Sequence, residues 1–378
     1  MPSDRLFGPS LTTDDMAAAV SDTAWLAAML RFEAALATVQ GRQGLISGDA
    51  VAGIVAACNP ARFDVAALGH EAVASASPVV PLVAALRKAV GQEVASSVHR
   101  DATSQDVIDS AMMLISRDGI DILLADLAAL AAECANLAER HRDTPIAGRT
   151  LLQIALPTTF GCKAAIWLEG ILDARRGLAG FRRDRLAVQL GGPVGTFSGS
   201  ELVADLAQEL DLAQPDLPWQ AARNRVAELA AMLAITAGAA AKIALDVALL
   251  AQSEVAEVVV AAPGHSSSMP HKRNPAQAIE ARAAFALATA QAGVLLGAMA
   301  GEHERAAGAW QSEWPALTDL FRVTAGAVAR TQEMLTGLQV DAVRMRANLG
   351  PAQIAPDTGG AAALVDRAIG IYRKEMDQ

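Results

Sequence analysis

The chain predicts an all-α fold, and three observations carry that reading. Aromatic residues make up only 4% of the sequence, with a single tyrosine. Its β-branched residues fall at helical spacing or in short runs such as Val258-Val259-Val260, so strand formers are scarce. Five long stretches carry apolar residues three and four apart with few helix breakers, the pattern of a bundle.

Taken in order, Thr12 to Gln43 repeats apolar residues through Met16, Val20, Trp25, Leu26, Met29, Leu30 and Ala34. Ser21-Asp22-Thr23 marks the start of a second helix there. Small helices continue to about residue 100, giving an N-terminal helical domain over 1–103. A longer stretch runs from Ser104 to Arg142 through Val107, Met112, Leu114, Ile115, Ile120, Leu123, Leu124, Leu127 and Leu130, with only Gly119 interrupting it. Helices are expected at Thr159–Gln189, Ala222–Glu257, Ala276–Gly301 and Pro315–Gly337, joined by Gly/Pro-bearing loops. These place a bundle of five long helices over 104–340. A reduced C-terminal helical domain, 341–378, holds one helix from Gly359 to Met376.

At 378 residues, 52% hydrophobic and 19% charged, the chain carries more apolar surface than one monomer needs to bury. A homo-oligomer is therefore expected. A net charge of −10 and a pI near 5.1 exclude nucleic acid and anionic lipid as partners. An anionic small-molecule substrate would need a locally basic pocket. Cys58, Cys134 and Cys162 are odd in number and far apart, as suits buried thiols in a reducing compartment. Met1 to Gly8 shows no signal-peptide pattern, so a cytoplasmic protein is expected. The uncharged run Ala283 to Gly301 contains Thr289 and Gln291 and reads as a closely packed bundle helix, with no membrane partner expected.

Four segments carry chemistry. Pro263 to Pro275 gathers three hydroxyls, two imidazoles, two cations and an amide between glycine and prolines, a loop built for anions. In His99-Arg100-Asp101-Ala102-Thr103-Ser104-Gln105-Asp106, Thr103 and Asp106 read as a capping box whose helix N-terminus favours an anion. A third is Gly148-Arg149-Thr150-Leu151-Leu152-Gln153-Ile154-Ala155-Leu156-Pro157. The fourth, Glu302 to Trp314, reads by itself as a polar loop with two buried tryptophans. Asn274-Pro275 also reads as a helix N-cap followed by proline. Leu190 to Thr196 is glycine-rich, but no Lys-Ser/Thr follows, so it is not a phosphate loop. None of the six histidines sits four residues from another metal ligand, so neither metal nor cofactor is expected.

These segments resemble the signatures of the fumarase/aspartase superfamily: G-S-S-x-M-P-x-K-x-N-P, H-x-G-x-T-S-x-D and G-R-T-x-x-Q-x-A-x-P. The form S-S-S-M-P-H-K-R-N-P, with H-E-R-x-x-G-x-W-x-x-E-W, looks most like its 3-carboxy-cis,cis-muconate cycloisomerase branch. The resemblance runs from residue 10 to about 350. It implies a homotetramer whose sites are shared between subunits, acting without a cofactor on a small polycarboxylate.

The resemblance also implies roles. Ser266 falls where the superfamily acts on the proton of the substrate carbon, and Lys272 supports its alkoxide. His99, Thr103, Ser104, Thr150, Gln153, Ser267, Asn274, Arg305 and His265 fall at or beside substrate-binding positions. Glu313 would orient Lys272 or a histidine. Arg100-Asp101 and His265 depart from the family pattern. So does Leu151, which stands where the amine- and water-eliminating lyases carry a proton-donating histidine. A carboxylate leaving group has a conjugate acid of pKa about 4 and needs no such donor. Lactone closure of 3-carboxy-cis,cis-muconate, or of a close analogue such as the sulfonate, is thus the expected reaction. The alternatives are an amine lyase releasing fumarate and a non-catalytic relative.

Overall fold

A computed structural model describes residues 6–265, 267–269, 271–350 and 356–376. The N-terminal region is helical: α1 (Gly8–Leu11), α2 (Asp14–Ala19), α3 (Asp22–Arg42), α4 (Gly48–Ala57), α5 (Val65–Ala72) and α6 (Val79–Val90). Side-chain oxygens of Thr13, Ser21, Ser47 and Asp64 accept backbone N–H groups at four of the starts, which is why turn residues precede each apolar run.

The bundle consists of α7 (Ser104–Arg140), α8 (Phe160–Asp184), α10 (Asn224–Leu250), α11 (Ala276–Gly297) and α12 (Ala309–Leu335), with the shorter α9 (Ser200–Leu210) between α8 and α10. α13 (Ala342–Ala347) and α14 (Ala361–Met376) follow, and α14 lies against α7 and α8. Three pairs of ion-paired residues tie α14 down: Arg142 with Asp366, Arg176 with Glu375, and Arg373 with Glu139. The 37 residues of α7 make it about 55 Å long at 1.5 Å per residue, and it sets the length of the molecule. A Cβ on Gly119 would lie 2.8 Å from the Phe321 ring, so the one breaker in α7 sits where a side chain of α12 packs directly on its backbone.

The bundle directions follow from contacts at its two ends. Near the start of α7, Ser110 exchanges hydrogen bonds with Gln189, which follows α8. Arg223, just before α10, and Trp310, at the start of α12, both bond Asp109. At the far end, Thr336 reaches Glu133 and Arg149 pairs with Glu257, which follows α10.

Two expectations shift. Strand pattern was nearly invisible, yet the described residues include three two-stranded antiparallel sheets: β1 (Pro145–Thr150) with β2 (Gln153–Thr159), β3 (Val258–Val259) with β6 (Gln339–Val340), and β4 (Gly264–His265) with β5 (Arg273–Asn274). In addition α12 begins at Ala309 and runs through Pro315. Only one intrahelical bond is lost there, and Trp310, Glu313, Ala316 and Leu317 are buried around it.

α10 and α11 are long and apolar enough to cross a membrane by length and composition. Each packs against the bundle along an alanine-rich stripe, through Ala237, Ala240 and Ala244 of α10 and Ala278, Ala281, Ala284 and Ala288 of α11. On α11, however, Ile279, Leu287, Val294 and Leu296 remain exposed.

Candidate active site

Thr103 caps α7, and the expected capping box forms: its backbone N–H donates to Asp106 Oδ2 at 2.9 Å. The Thr103 hydroxyl oxygen is 2.9 Å from Arg305 Nη2, while Arg305 Nε donates to Gln105 Oε1 at 3.1 Å. Residues two hundred positions apart thus meet at one helix N-terminus. There a guanidinium, a hydroxyl and the positive end of the helix dipole favour an anion. Ser104 is half-buried beside them. His99 is held by Glu33, with Nδ1 to Oε1 at 2.6 Å. Arg100 instead donates to the Leu45 carbonyl and faces outward with Asp101.

Asp106 also receives the N–H groups of Gly191 and Gly192 at 2.8 and 3.1 Å. The glycine-rich segment spends those donors on Asp106, which is the physical reason it cannot cradle a phosphate. Burial pushes the Asp106 carboxyl up to about 6, against these three bonds and with a smaller push from Asp109.

Beneath Arg305 lies a buried ion cluster that the sequence did not reveal. Arg223 makes two bonds to Asp109, at 2.7 and 3.0 Å, and two to Glu313, one of them at 2.9 Å. Burial alone would lower the Arg223 pKa, but Asp109 and Glu313 outweigh it and hold the guanidinium charged. Burial raises the Glu313 pKa, and Arg223 opposes it. The Trp310 indole donates to Asp109 at 3.0 Å, and the Arg305 guanidinium sits 5.8 Å from that ring. Glu313 is therefore buried beside the site as expected, with Arg223 as its partner in this chain in place of Lys272 or a histidine. The available signal was the set of polar residues Gln105, Asp106, Asp109 and Ser110, recurring at helical spacing at the start of a long apolar segment.

Thr150 and Gln153 flank the two-residue turn of the β1–β2 hairpin and are exposed. Leu151 and Leu152 form the turn with φ of 53° and 66°, where side-chain-bearing residues are uncommon. Leu151 is 96% exposed, and Ile154 and Leu156 on β2 are also exposed. Arg149 anchors the hairpin through two bonds to the buried Glu257, at 2.7 and 3.0 Å.

The serine loop is closed by β4 and β5, which pair Gly264 with Asn274 and His265 with Arg273. Ser267 and Lys272 are exposed, and Lys272 N–H donates to the Met269 carbonyl at 3.0 Å. Asn274 is half-buried inside β5; the N-cap position of α11 falls on Pro275, so the expected cap is displaced by the strand. Ser266 and the His265 side chain lie outside the described residues. Among the described residues, no group of three or more His, Cys, Asp or Glu could hold a metal ion.

Thr103, Ser104, His99 and Arg305 share the end of the bundle where α7 begins. Thr150 and Gln153 sit past its other end, about 55 Å away by helix length, where Arg149 grips Glu257. The serine loop lies in sequence between Glu257 and the start of α11.

The chain is a long-helix bundle in which Thr103 and Arg305 meet at one end and the motif-bearing hairpins lie elsewhere. A family model described as Lyase matches residues 10–288, and the chain belongs to this family, the fumarase/aspartase superfamily. It is 45% identical over 355 residues to a 3-carboxy-cis,cis-muconate cycloisomerase of Bradyrhizobium diazoefficiens, covering 91% of this chain and 79% of that protein. It is also 45% identical over 363 residues to a nitrosuccinate lyase of Streptomyces davaonensis, covering 91% and 76%. Its fold superposes on a 3-carboxy-cis,cis-muconate lactonizing enzyme from Pseudomonas putida with a TM-score of 0.91 at 33% identity, covering 99% of this chain and all of that one.

Proposed function

We propose that this chain is a cofactor-free cycloisomerase, closing 3-carboxy-cis,cis-muconate or a close anionic analogue to its muconolactone. One substrate carboxylate oxygen bonds to an alkene carbon. The displaced electron pair moves onto the neighbouring carbon and its carboxylate as an enediolate, and Ser266 delivers a proton to that carbon. Lys272 and the loop N–H groups stabilise the charge that develops, a role in which one well-placed donor is typically worth about 3 kcal/mol. Thr103 and Arg305 seat a second carboxylate, with Thr150, Gln153, Ser267 and Asn274 completing the pocket. Two or three anionic groups on one substrate account for a concentration of donors in a protein of net charge −10.

Leu151 carries this reading. It occupies the exposed turn where proton delivery to a poor leaving group would be needed, and it has no proton to give. The same observation favours a second reading, release of nitrite from nitrosuccinate to give fumarate, because nitrite is also the anion of a fairly strong acid. Purified protein given each compound separates them: loss of the conjugated-diene absorbance of 3-carboxymuconate supports cyclisation. Fumarate and nitrite appearing from nitrosuccinate, with the diene untouched, would replace it.

The working form on this reading is a homotetramer with shared sites. The two motif-bearing ends of one chain are separated by the length of α7, and an antiparallel copy brings one end against the other. The exposed apolar residues of α11 and of the hairpin are the surfaces such a copy would cover.

A further inference from the structure

Glu33, on α3, is 1% exposed; its Oε1 lies 2.6 Å from His99 Nδ1, and its Oε2 is buried with no hydrogen-bond partner. A carboxylate removed from water with a single neutral hydrogen bond is costly, whereas a cationic partner offsets much of that cost. The short contact has the length of a charge-assisted bond. The neighbouring titratable group is Cys58, whose thiol burial pushes up to about 12, with Glu33 adding to the push; it supplies no positive charge. Among the described residues His99 is the side chain that bonds Glu33. With Nδ1 committed, the ring has one other hydrogen-bonding atom, Nε2.

The backbone here is strained. His99 and Asp101 have φ of 61° and 62°, a region that favours glycine. The turn is wedged in place: the Arg100 carbonyl between them accepts from Gln40 Nε2 at 2.9 Å, and the Asp101 carbonyl lies against Gly192. Strain that the surrounding fold enforces is characteristic of ligand sites. This turn leads directly into Thr103 and the Arg305 seat.

We propose that Glu33 is a positioning residue: it clamps His99 through Nδ1 and fixes the ring, so that Nε2 is turned to a carboxylate of the substrate beside Thr103 and Arg305. The inference rests on the reading of that end as a carboxylate seat, and it holds for any polycarboxylate the seat accepts.

Two substitutions separate the ring atoms. In His99→Asn the amide stands in for Nδ1 and keeps the bond to Glu33 while Nε2 is lost; in Glu33→Gln the clamp loses its charge. Each is expected to weaken binding of tricarballylate, a non-reacting tricarboxylate, about tenfold or more by calorimetry, since a charged hydrogen bond is at stake. For the turned-over substrate the loss should appear in KM with kcat little changed. The double variant should bind no more weakly than His99→Asn alone, because Glu33 acts only through the ring. Unchanged tricarballylate affinity in His99→Asn overturns the proposal even if Glu33→Gln fails to fold, and additive losses in the double variant overturn the coupling. Because the binding readout needs no turnover, a wrong choice of reaction would leave this outcome intact.

Discussion

The two ends of the bundle are built on opposite principles. Where α7 begins, polar side chains around Thr103 are tied to partners: Arg305 with Thr103 and Gln105, Asp106 with three N–H groups, Arg223 with two carboxylates. Where α7 ends, the hairpin projects Leu151, Ile154 and Leu156 into solvent on a strained turn, held at its base by Arg149. The first end is organised within one chain and has a shape fixed before substrate arrives. The second leaves its apolar side chains uncovered in the single chain. On the proposed reading, the carboxylate seat and the proton shuttle belong to different ends of the same chain, so catalysis would depend on assembly while binding of an anion would be largely prepared in the single chain.

The sharpest way to break that contrast is at the loop. Ser266→Ala is expected to lower kcat at least about a hundredfold, the usual worth of a general acid–base group, while circular dichroism and the melting temperature stay near those of the parent. Near-normal turnover would remove the proton shuttle from the serine loop. Next in size is Arg305→Leu, which should cost about 10- to 100-fold in kcat/KM, the value of a charge-assisted bond to a carboxylate. Co-expressing the two variants then tests the division of labour. If sites are shared, mixed oligomers regain activity that neither variant has alone, because an intact residue 266 from one copy meets an intact residue 305 from another. No recovery in purified mixed oligomers would place both functions within one chain.

Most of the helical architecture was legible from periodicity and local pattern, and the four motif segments from their resemblance to family signatures. The Ser104 start and the Thr103–Asp106 box appeared as drawn, since both are set by residues three and four apart. Three features were not. The β1–β2 hairpin turns on Leu-Leu, which carries none of the Asn-Gly chemistry that marks such turns, and its geometry is imposed from outside the dipeptide. The start of α12 was placed at Pro315, because a proline read locally signals a break; the buried Trp310 and Glu313 outweigh the lost bond. The Arg223–Asp109–Glu313 cluster unites positions more than a hundred residues apart, and nothing in local spacing reveals such a pairing.

A smaller effect probes the prepared end. Burial holds the Asp106 carboxyl at about 6 against an ordinary value of 3.8, so the folded state binds that proton more tightly than the unfolded state does. The stability this group contributes is therefore complete below about pH 4 and is lost as pH rises through about 6. Asp106→Asn removes the titration. The difference in unfolding free energy between parent and variant, measured by urea denaturation across this range, should shift against the parent as pH increases. A flat difference would mean that the three N–H groups offset the burial fully.

The smallest effect is expected at the exposed turn. Leu151→His places an imidazole on a side chain that is 96% exposed in the single chain, at a φ of 53° that neither leucine nor histidine prefers, so folding stability should change by well under 1 kcal/mol. For ring closure the added group has nothing to do, because the oxygen nucleophile and the leaving carboxylate need no proton, and cyclisation should not rise. An amine adduct of fumarate is different: its nitrogen must be protonated before it departs, and there a histidine on the hairpin would help. Assaying the variant on both substrate types separates geometry from chemistry. A gain on the amine adduct alone would show that the hairpin does reach the substrate from the far end of a neighbouring chain and that leucine there selects the leaving group. A gain in cyclisation would show that proton delivery at this turn limits a reaction argued to need none, and would sink the leaving-group account.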